Sequence, residues 1–186
     1  VTTITTGSTS ATYTKTGLTV GRQYKFRVAA TNVVGTGSFS AWSSATTVIT
    51  TPGAPTGVTS TSADSAVSLT WTAPSSNGGG SITDYQVTVT NNAGGAPTGV
   101  TGATTRSVGS ATASYSFTGL TNGTAYKFTV KAVNAAGAGT ASTSQTHTNP
   151  AMVAGYAAYT QGLVKTAVQV GTTLYIGGSF NEVKGE

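Results

Sequence analysis

YSFTGLTNGTAYKFTVKAVNAAGAG, residues 115–139, is the most regular stretch of this sequence. Tyr115 and Phe117 alternate with Ser and Thr, and a turn composed of Gly-Leu-Thr-Asn-Gly follows. After the turn, apolar and polar side chains alternate again; the apolar ones are Tyr126, Phe128, Val130 and Ala132. A period of two is the signature of a strand with one buried face. The stretch therefore predicts two β-strands joined by a turn.

The same pattern occurs a second time, 102 residues earlier in the chain. Tyr13–Gly37, YTKTGLTVGRQYKFRVAATNVVGTG, aligns with Tyr115–Gly139 without a gap, and 14 of the 25 positions are identical. An offset of 102 residues is about the length of one small β-sandwich. We therefore predict two copies of one domain in tandem. The first copy, residues 1–51, contains only the C-terminal half.

The shared pattern Gly-Leu-x5-Tyr-x-Phe-x-Val-x-Ala-x-Asn-x-x-Gly-x-Gly resembles the E–F–G region of fibronectin type III domains. This resemblance implies a tyrosine corner, in which a tyrosine hydroxyl bonds to the backbone and holds the turn between the two sheets. The pairs would be Leu120 with Tyr126, and Leu18 with Tyr24.

Segments upstream of the second repeat extend the resemblance to a whole domain, residues 52–149. Val67–Pro74 resembles strand B, with Trp71 on the core side, and Ile82–Val89 resembles strand C. Pro52-Gly53-Ala54-Pro55 resembles the usual entry between domains. The predicted fold class is all-β: immunoglobulin-like (fibronectin type III) β-sandwiches in tandem, with a C-terminal β-hairpin segment.

Residues 1–51 supply only about three strands, so the inner row of Tyr24, Phe26 and Val28 is expected to be uncovered. An incomplete sheet of this kind invites association. Either further residues precede Val1 in the natural protein, or another chain completes the sheet. We favour the first alternative and expect the chain to be a fragment.

Residues 150–186 depart from the repeat. Leu163–Val170 and Thr173–Ile176 predict two strands joined by Gly171-Thr172. The region resembles one hairpin of the β-propeller repeats of bacterial secreted proteins. We expect it to begin a β-propeller-like or other β-repeat region; the alternative is an irregular strand pair packed on the sandwich.

Composition limits the possible chemistry. Only 7% of residues are charged, against about 25% in a typical domain. Cysteine is absent, which excludes disulfides and thiolate sites. No apolar run approaches the roughly 20 residues that span a bilayer, so membrane insertion is not expected. The net charge of +5 arises mainly in residues 1–51, which carry four basic residues and no acid.

No catalytic, metal or cofactor site is predicted. His147 is the single histidine, and we expect it to be a surface residue at a strand end. Nucleophilic catalysis needs a base beside the nucleophile, and zinc needs several His or Cys ligands. Gly78-Gly79-Gly80 lacks the Lys-Ser/Thr and the helix of a phosphate loop, and is interpreted as a flexible B–C loop. The few acidic residues are dispersed: Asp64, Asp84, Glu182 and Glu186.

Four basic residues form the candidate contact surface: Lys25, Arg27, Lys127 and Lys131. Strand alternation places them opposite the core aromatics. Such a stripe suits acidic polysaccharide, lipopolysaccharide or nucleic acid, although sheet faces also carry charge for solubility and edge protection. Nucleic-acid binding is not expected, because the aromatic residues point inward.

The sequence favours a non-catalytic spacer and interaction module of a larger surface or virion protein, such as a phage tail, fibre or capsid-decoration protein. The alternatives are a bacterial cell-surface adhesin or the linker region of a secreted carbohydrate-active enzyme. Expected partners are other subunits or domains of the same assembly and surface glycans. The expected location is extracellular, on a cell surface or on a virion.

Overall fold

Strands, turns and extended loops make up the part of the chain that the structure, a computed structural model, describes: residues 2–149 and the backbone of two later strands. The described residues form no helix, so no helical membrane span is found among them. The all-β class is confirmed. In chain order the strands are β1 (Gln23–Tyr24), β2 (Thr31–Asn32), β3 (Gly35–Thr36), β4 (Thr46–Thr47), β5 (Thr56–Ala63), β6 (Ala66–Thr72), β7 (Asp84–Asn91), β8 (Thr105–Ser107), β9 (Ser114–Thr118), β10 (Ala125–Asn134), β11 (Gly137–Ala141), β12 (Gln145–Thr148), β13 (Val164–Val170) and β14 (Thr173–Gly178).

Two antiparallel sheets form a sandwich from β5 to β12. One sheet has the order β5-β6-β9, and the other has the order β11-β10-β7-β8, with β12 also paired to β10. Side chains from both sheets share one core cluster, so the sheets pack face to face. This arrangement confirms the immunoglobulin-like sandwich.

Alternation along β6 explains how this strand joins the core. Val67, Leu69 and Trp71 are buried, whereas the Ser and Thr residues between them are exposed. The Trp71 ring meets Tyr85 of β7 edge-on, with 5.2 Å between ring centroids. The predicted core position of Trp71 is therefore confirmed. β6 ends at Thr72, shortly before Pro74, which has no N–H to donate to a ladder.

The central strand of the larger sheet is β10. It pairs with β7 along eight residues, from Tyr126 opposite Asn91 to Val133 opposite Asp84. The side chains of Tyr126, Phe128, Val130 and Ala132 are fully buried. β7 lies two residues later than the predicted strand C, although Thr83 N also donates to Val133 O at 2.8 Å.

The first repeat contains only short ladders. β1 pairs with β4, and β2 pairs with β3, through two residues each. Phe26 is 46% exposed and Val28 is 73% exposed, whereas Tyr24 is half-buried. The inner row is largely uncovered, as predicted. The division at 1–51, 52–149 and 150–186 stays a prediction.

β13 and β14 pair in antiparallel register from Val164 opposite Gly178 to Val170 opposite Thr173. Two paired strands were predicted here. The connecting Gly171-Thr172 and the rest of residues 150–186 lie outside the described residues. The propeller-like interpretation stays a prediction.

Candidate functional site

The end of the sandwich near β9 and β10 is held by a tyrosine corner. The Tyr126 hydroxyl accepts a hydrogen bond from Thr121 N at 3.0 Å, and it lies 3.1 Å from both Thr98 O and Gly99 O, to which it donates. Leu120, beside it, is buried. The predicted corner is therefore present in the sandwich.

The first repeat forms the corresponding bond. The Tyr24 hydroxyl accepts a hydrogen bond from Thr19 N at 2.9 Å. Tyr24 and Thr19 each precede their counterparts in the second repeat by 102 residues. The turn chemistry is therefore local, because it forms even where the surrounding sandwich is incomplete.

Two of the predicted contact residues lie on the outer face of β10. Lys131 is exposed and Lys127 is half-buried. Lys127 lies between Thr90 and Thr146 of the neighbouring strands. This outer face is therefore rich in hydroxyl groups and carries isolated positive charges, as strand alternation predicts.

The other two predicted contact residues follow β1 and are exposed. The Arg27 guanidinium lies over two rings of its own repeat, 4.1 Å from the centroid of Phe39 and 4.6 Å from that of Trp42. Cation–π contacts of this kind hold the guanidinium in place. Lys25 has its counterpart in Lys127, whereas Arg27 aligns with Thr129 and Lys131 aligns with Ala29, so the two repeats share one of these basic positions.

Arg106 of β8 is a structural residue that the sequence analysis did not identify. Its guanidinium lies 4.0 Å from the Phe117 ring centroid and donates to the carbonyls of Thr118 at 2.9 Å, Thr101 at 2.6 Å and Ala103 at 3.0 Å. It therefore ties the loop before β8 to the end of β9. The only signal in the sequence was a lone arginine in a domain with little charge.

His147 of β12 bridges the edges of the two sheets. Its Nδ1 lies 2.9 Å from Ser60 Oγ, and its Nε2 lies 3.0 Å from Ser62 Oγ, both on β5. Partial burial lowers the pKa of His147 below its ordinary value of 6.5, against a smaller opposing effect of Asn149. The expectation of a surface strand-end residue was therefore wrong in part, because the ring is half-buried between strands.

This Ser–His arrangement does not form a catalytic triad. In a triad, one ring nitrogen activates the nucleophile while a carboxylate orients the other. Here both ring nitrogens meet serine hydroxyls. The contacts therefore join β12 to β5.

The acidic side chains of the sandwich stabilise turns. Asp84 accepts hydrogen bonds from Ser107 Oγ and from Gly109 N. Asp64 accepts one from Asn122 Nδ2 at 2.9 Å, which links the β5–β6 turn to the β9–β10 turn. Among the described residues, no three His, Asp or Glu side chains are grouped to hold a metal ion.

The interpretation of Gly78-Gly79-Gly80 as a flexible loop was wrong. Gly78 O accepts a hydrogen bond from Thr50 N at 2.8 Å, and Gly79 lies directly against Gly21. Glycine permits this close backbone approach. The loop therefore packs against the first repeat.

Comparisons with known proteins agree with this geometry. The family model of the fibronectin type III domain matches residues 53–148. A segment of titin, domains A168–A170, has a similar structure, with a TM-score of 0.52 and 25% sequence identity over 72% of this chain and 43% of that chain.

Two curated relatives are bacterial proteins. Exoglucanase B of Cellulomonas fimi is 36% identical over 140 residues, which are 70% of this chain and 12% of the relative. Chitinase A1 of Niallia circulans is 38% identical over 142 residues, which are 71% of this chain and 18% of the relative. The chain thus spans less than a fifth of the length of either relative. Through the domain at residues 53–148, the chain belongs to the fibronectin type III family.

Proposed function

We propose that this chain is a non-catalytic spacer that links modules of a secreted carbohydrate-active enzyme. The observation that supports this most is its similarity to an exoglucanase and a chitinase, each matched over a small share of its length. The fibronectin type III domain makes up about half of the chain, and its family is non-catalytic. The catalytic work would therefore belong to other domains of the parent protein.

The side-chain chemistry of the sandwich supports the same proposal. The carboxylates and the imidazole of residues 52–149 all form hydrogen bonds between strands or turns: these groups are Asp64, Asp84 and His147. A spacer needs a stable fold and a surface that does not compete for substrate. The outer faces, rich in Ser and Thr and with few charges, suit that role.

The comparisons do not support the virion interpretation and favour the enzyme-linker alternative. An extracellular location is part of the proposal, because the insoluble polysaccharides that such an enzyme would hydrolyse are too large to enter a cell. The proposed partners are the neighbouring domains of the same protein. Glycan contact through Lys127 and Lys131 is the secondary proposal, because Lys131 is exposed on the outer face of β10.

Replacing residues 52–149 in the parent protein with a flexible Gly/Ser linker tests the spacer function. Hydrolysis of a soluble oligosaccharide should stay unchanged, because the active site lies elsewhere. Hydrolysis of an insoluble polysaccharide should fall, because the spacing of modules matters there. Equal loss on both substrates would contradict a spacer role, and an intact parent protein without hydrolase activity would contradict the enzyme context.

A further inference from the structure

The chain passes from the first repeat into the sandwich through residues 50–55, and this crossing is bonded to the β6–β7 loop. Thr50 N donates to Gly78 O at 2.8 Å, and Gly53 N donates to Ser76 O at 2.9 Å. A free tether would leave these backbone groups to water. The bonds instead hold the crossing alongside the loop.

A buried amide adds a third attachment. The side chain of Asn134, at the end of β10, is only 4% exposed and donates through Nδ2 to Thr50 O and to Asn77 O, both at 2.8 Å. Its counterpart in the first repeat, Asn32, is exposed, and its Oδ1 accepts bonds from Val34 N and from Gly35 N. Asn134 therefore joins the crossing to the β6–β7 loop, whereas these bonds of Asn32 stay within its own turn.

Glycines allow the backbone of the β6–β7 loop to contact the backbone of the first repeat. A Cβ on Gly78 would lie 2.0 Å from Thr50 O, and one on Gly79 would lie 2.5 Å from Gly21 N and 2.9 Å from Val20 Cγ1. The φ angles of Gly78 and Gly79 are +70° and +77°, which favour glycine. The fit is therefore tight enough to exclude any other residue.

We propose that these contacts form a rigid joint, in which the end of the first repeat (residues 20–21 and 49–51) docks on Asn134 and on residues 77–80 of the β6–β7 loop. The occupant of this docking surface is the end of the preceding repeat of the same chain. The spacer then holds successive modules at a fixed angle. The joint deepens the proposed spacer function and takes its biological meaning from it, but its geometry is independent of any enzyme context.

Cysteine pairs test the joint in the chain as it stands, because it has no cysteine of its own. A Cβ on Gly80 would lie 3.8 Å from Ile49 Cβ, close to the mean of about 3.8 Å in disulfides. Ile49→Cys with Gly80→Cys is therefore the joint pair. Gly53→Cys with Ser76→Cys, also 3.8 Å apart, is the reference pair, because both residues follow the proposed joint and belong to the domain at residues 53–148.

The negative pair is Ile49→Cys with Gly94→Cys, because a Cβ on Gly94 would have no atom within 4 Å. Dilute protein is oxidised mildly, and free thiols are titrated over time. The joint pair should close at a rate similar to that of the reference pair and at least about tenfold faster than the negative pair. A joint pair that closes no faster than the negative pair would overturn the proposal.

Two alanine variants sharpen the test. Gly79 and Gly109 have the same φ of +77°, but a Cβ on Gly109 would have no atom within 4 Å. Gly79→Ala should slow closure of the joint pair, whereas Gly109→Ala should leave it unchanged. Closure of the reference pair in the same backgrounds reports whether the sandwich still folds. Equal effects of the two variants on the joint pair would also overturn the proposal, and no hydrolase assay enters either result.

Discussion

The two repeats form the same local hydrogen bonds. In the sandwich, Ser142 N donates to Val130 O at 2.8 Å, and Val130 N donates to Ser142 Oγ at 3.0 Å. In the first repeat, Ser40 N donates to Val28 O at 2.8 Å, and Val28 N donates to Ser40 Oγ at 3.1 Å. Each repeat also has its tyrosine hydroxyl bonded to the backbone five residues earlier. The backbone conformation therefore follows the shared sequence.

The two repeats differ in how far their corresponding side chains are buried. Phe128 is 0% exposed and its counterpart Phe26 is 46% exposed; Val130 is 0% exposed and Val28 is 73% exposed. The core of the sandwich needs β6 and β9, which belong to the second sheet. Turn and strand geometry are thus local properties of the motif, whereas stability depends on strands elsewhere in the chain.

Truncating the paired phenylalanines should give the largest difference. Phe128→Ala removes a fully buried ring and should lower the free energy of unfolding by about 3 to 5 kcal/mol. Phe26→Ala removes a ring that is already half in water and should have a much smaller effect. Urea denaturation followed by tryptophan fluorescence measures both. Similar losses would mean that the first repeat has a core of its own.

The second-largest difference in stability is expected between substitutions of Gly139 and of its counterpart Gly37. A Cβ on Gly139 would lie 2.1 Å from Pro52 O, whereas one on Gly37 would meet Ala30 O at an ordinary 3.6 Å. Gly139→Ala should therefore destabilise the sandwich by about 1 to 3 kcal/mol. Gly37→Ala is the matched control and should be nearly neutral. Thermal unfolding by circular dichroism compares the two, and a neutral Gly139→Ala would show that Pro52 does not pack there.

Removing the corner hydroxyls should have a smaller effect. Tyr126→Phe leaves Thr121 N without its partner beside a buried ring and should lose about 1 kcal/mol. In Tyr24→Phe, water replaces the lost partner of Thr19 N, because the surroundings are exposed. We therefore expect little change in that variant. Equal losses in denaturant melts would contradict the difference in burial.

The effect of protonating His147 should be confined to the sandwich, because position 45, the counterpart of His147, is alanine. The pKa of His147 is lowered in the folded state, so the unfolded chain binds the proton more readily. The contribution of His147 to stability is therefore full above about pH 6.5, decreases as the pH falls toward the folded-state pKa, and stays constant below it. His147→Gln should remove this part of the pH dependence. Unfolding free energies measured across this range for both proteins provide the check, and an unchanged slope would contradict the assignment.

The sequence predicted those parts of the fold that depend on local pattern. Alternation identified the buried faces of β6 and β10, and the resemblance supplied the corner of Tyr126 and the core position of Trp71. Turn glycines were recognised as turns. The buried faces are readable because alternation involves residues close together in the chain, whereas the corner and the core position of Trp71 required the resemblance.

The contacts that sequence analysis missed join distant segments. Arg106 donates to backbone carbonyls, and because every residue has a carbonyl, the sequence does not reveal which ones accept. His147 meets two serines more than 80 residues away, in a chain rich in serine. Gly79 was interpreted as flexible because glycine alone does not distinguish a mobile loop from a close approach.

Amide hydrogen exchange across both repeats is the most direct test of the difference in burial. Amides of β6, β7 and β10 should exchange only through global unfolding of the sandwich, since these strands carry the core. Amides of residues 23–32, although bonded in a similar pattern, should exchange orders of magnitude faster. Equal protection in the two repeats would contradict the conclusion that only the second one has a core.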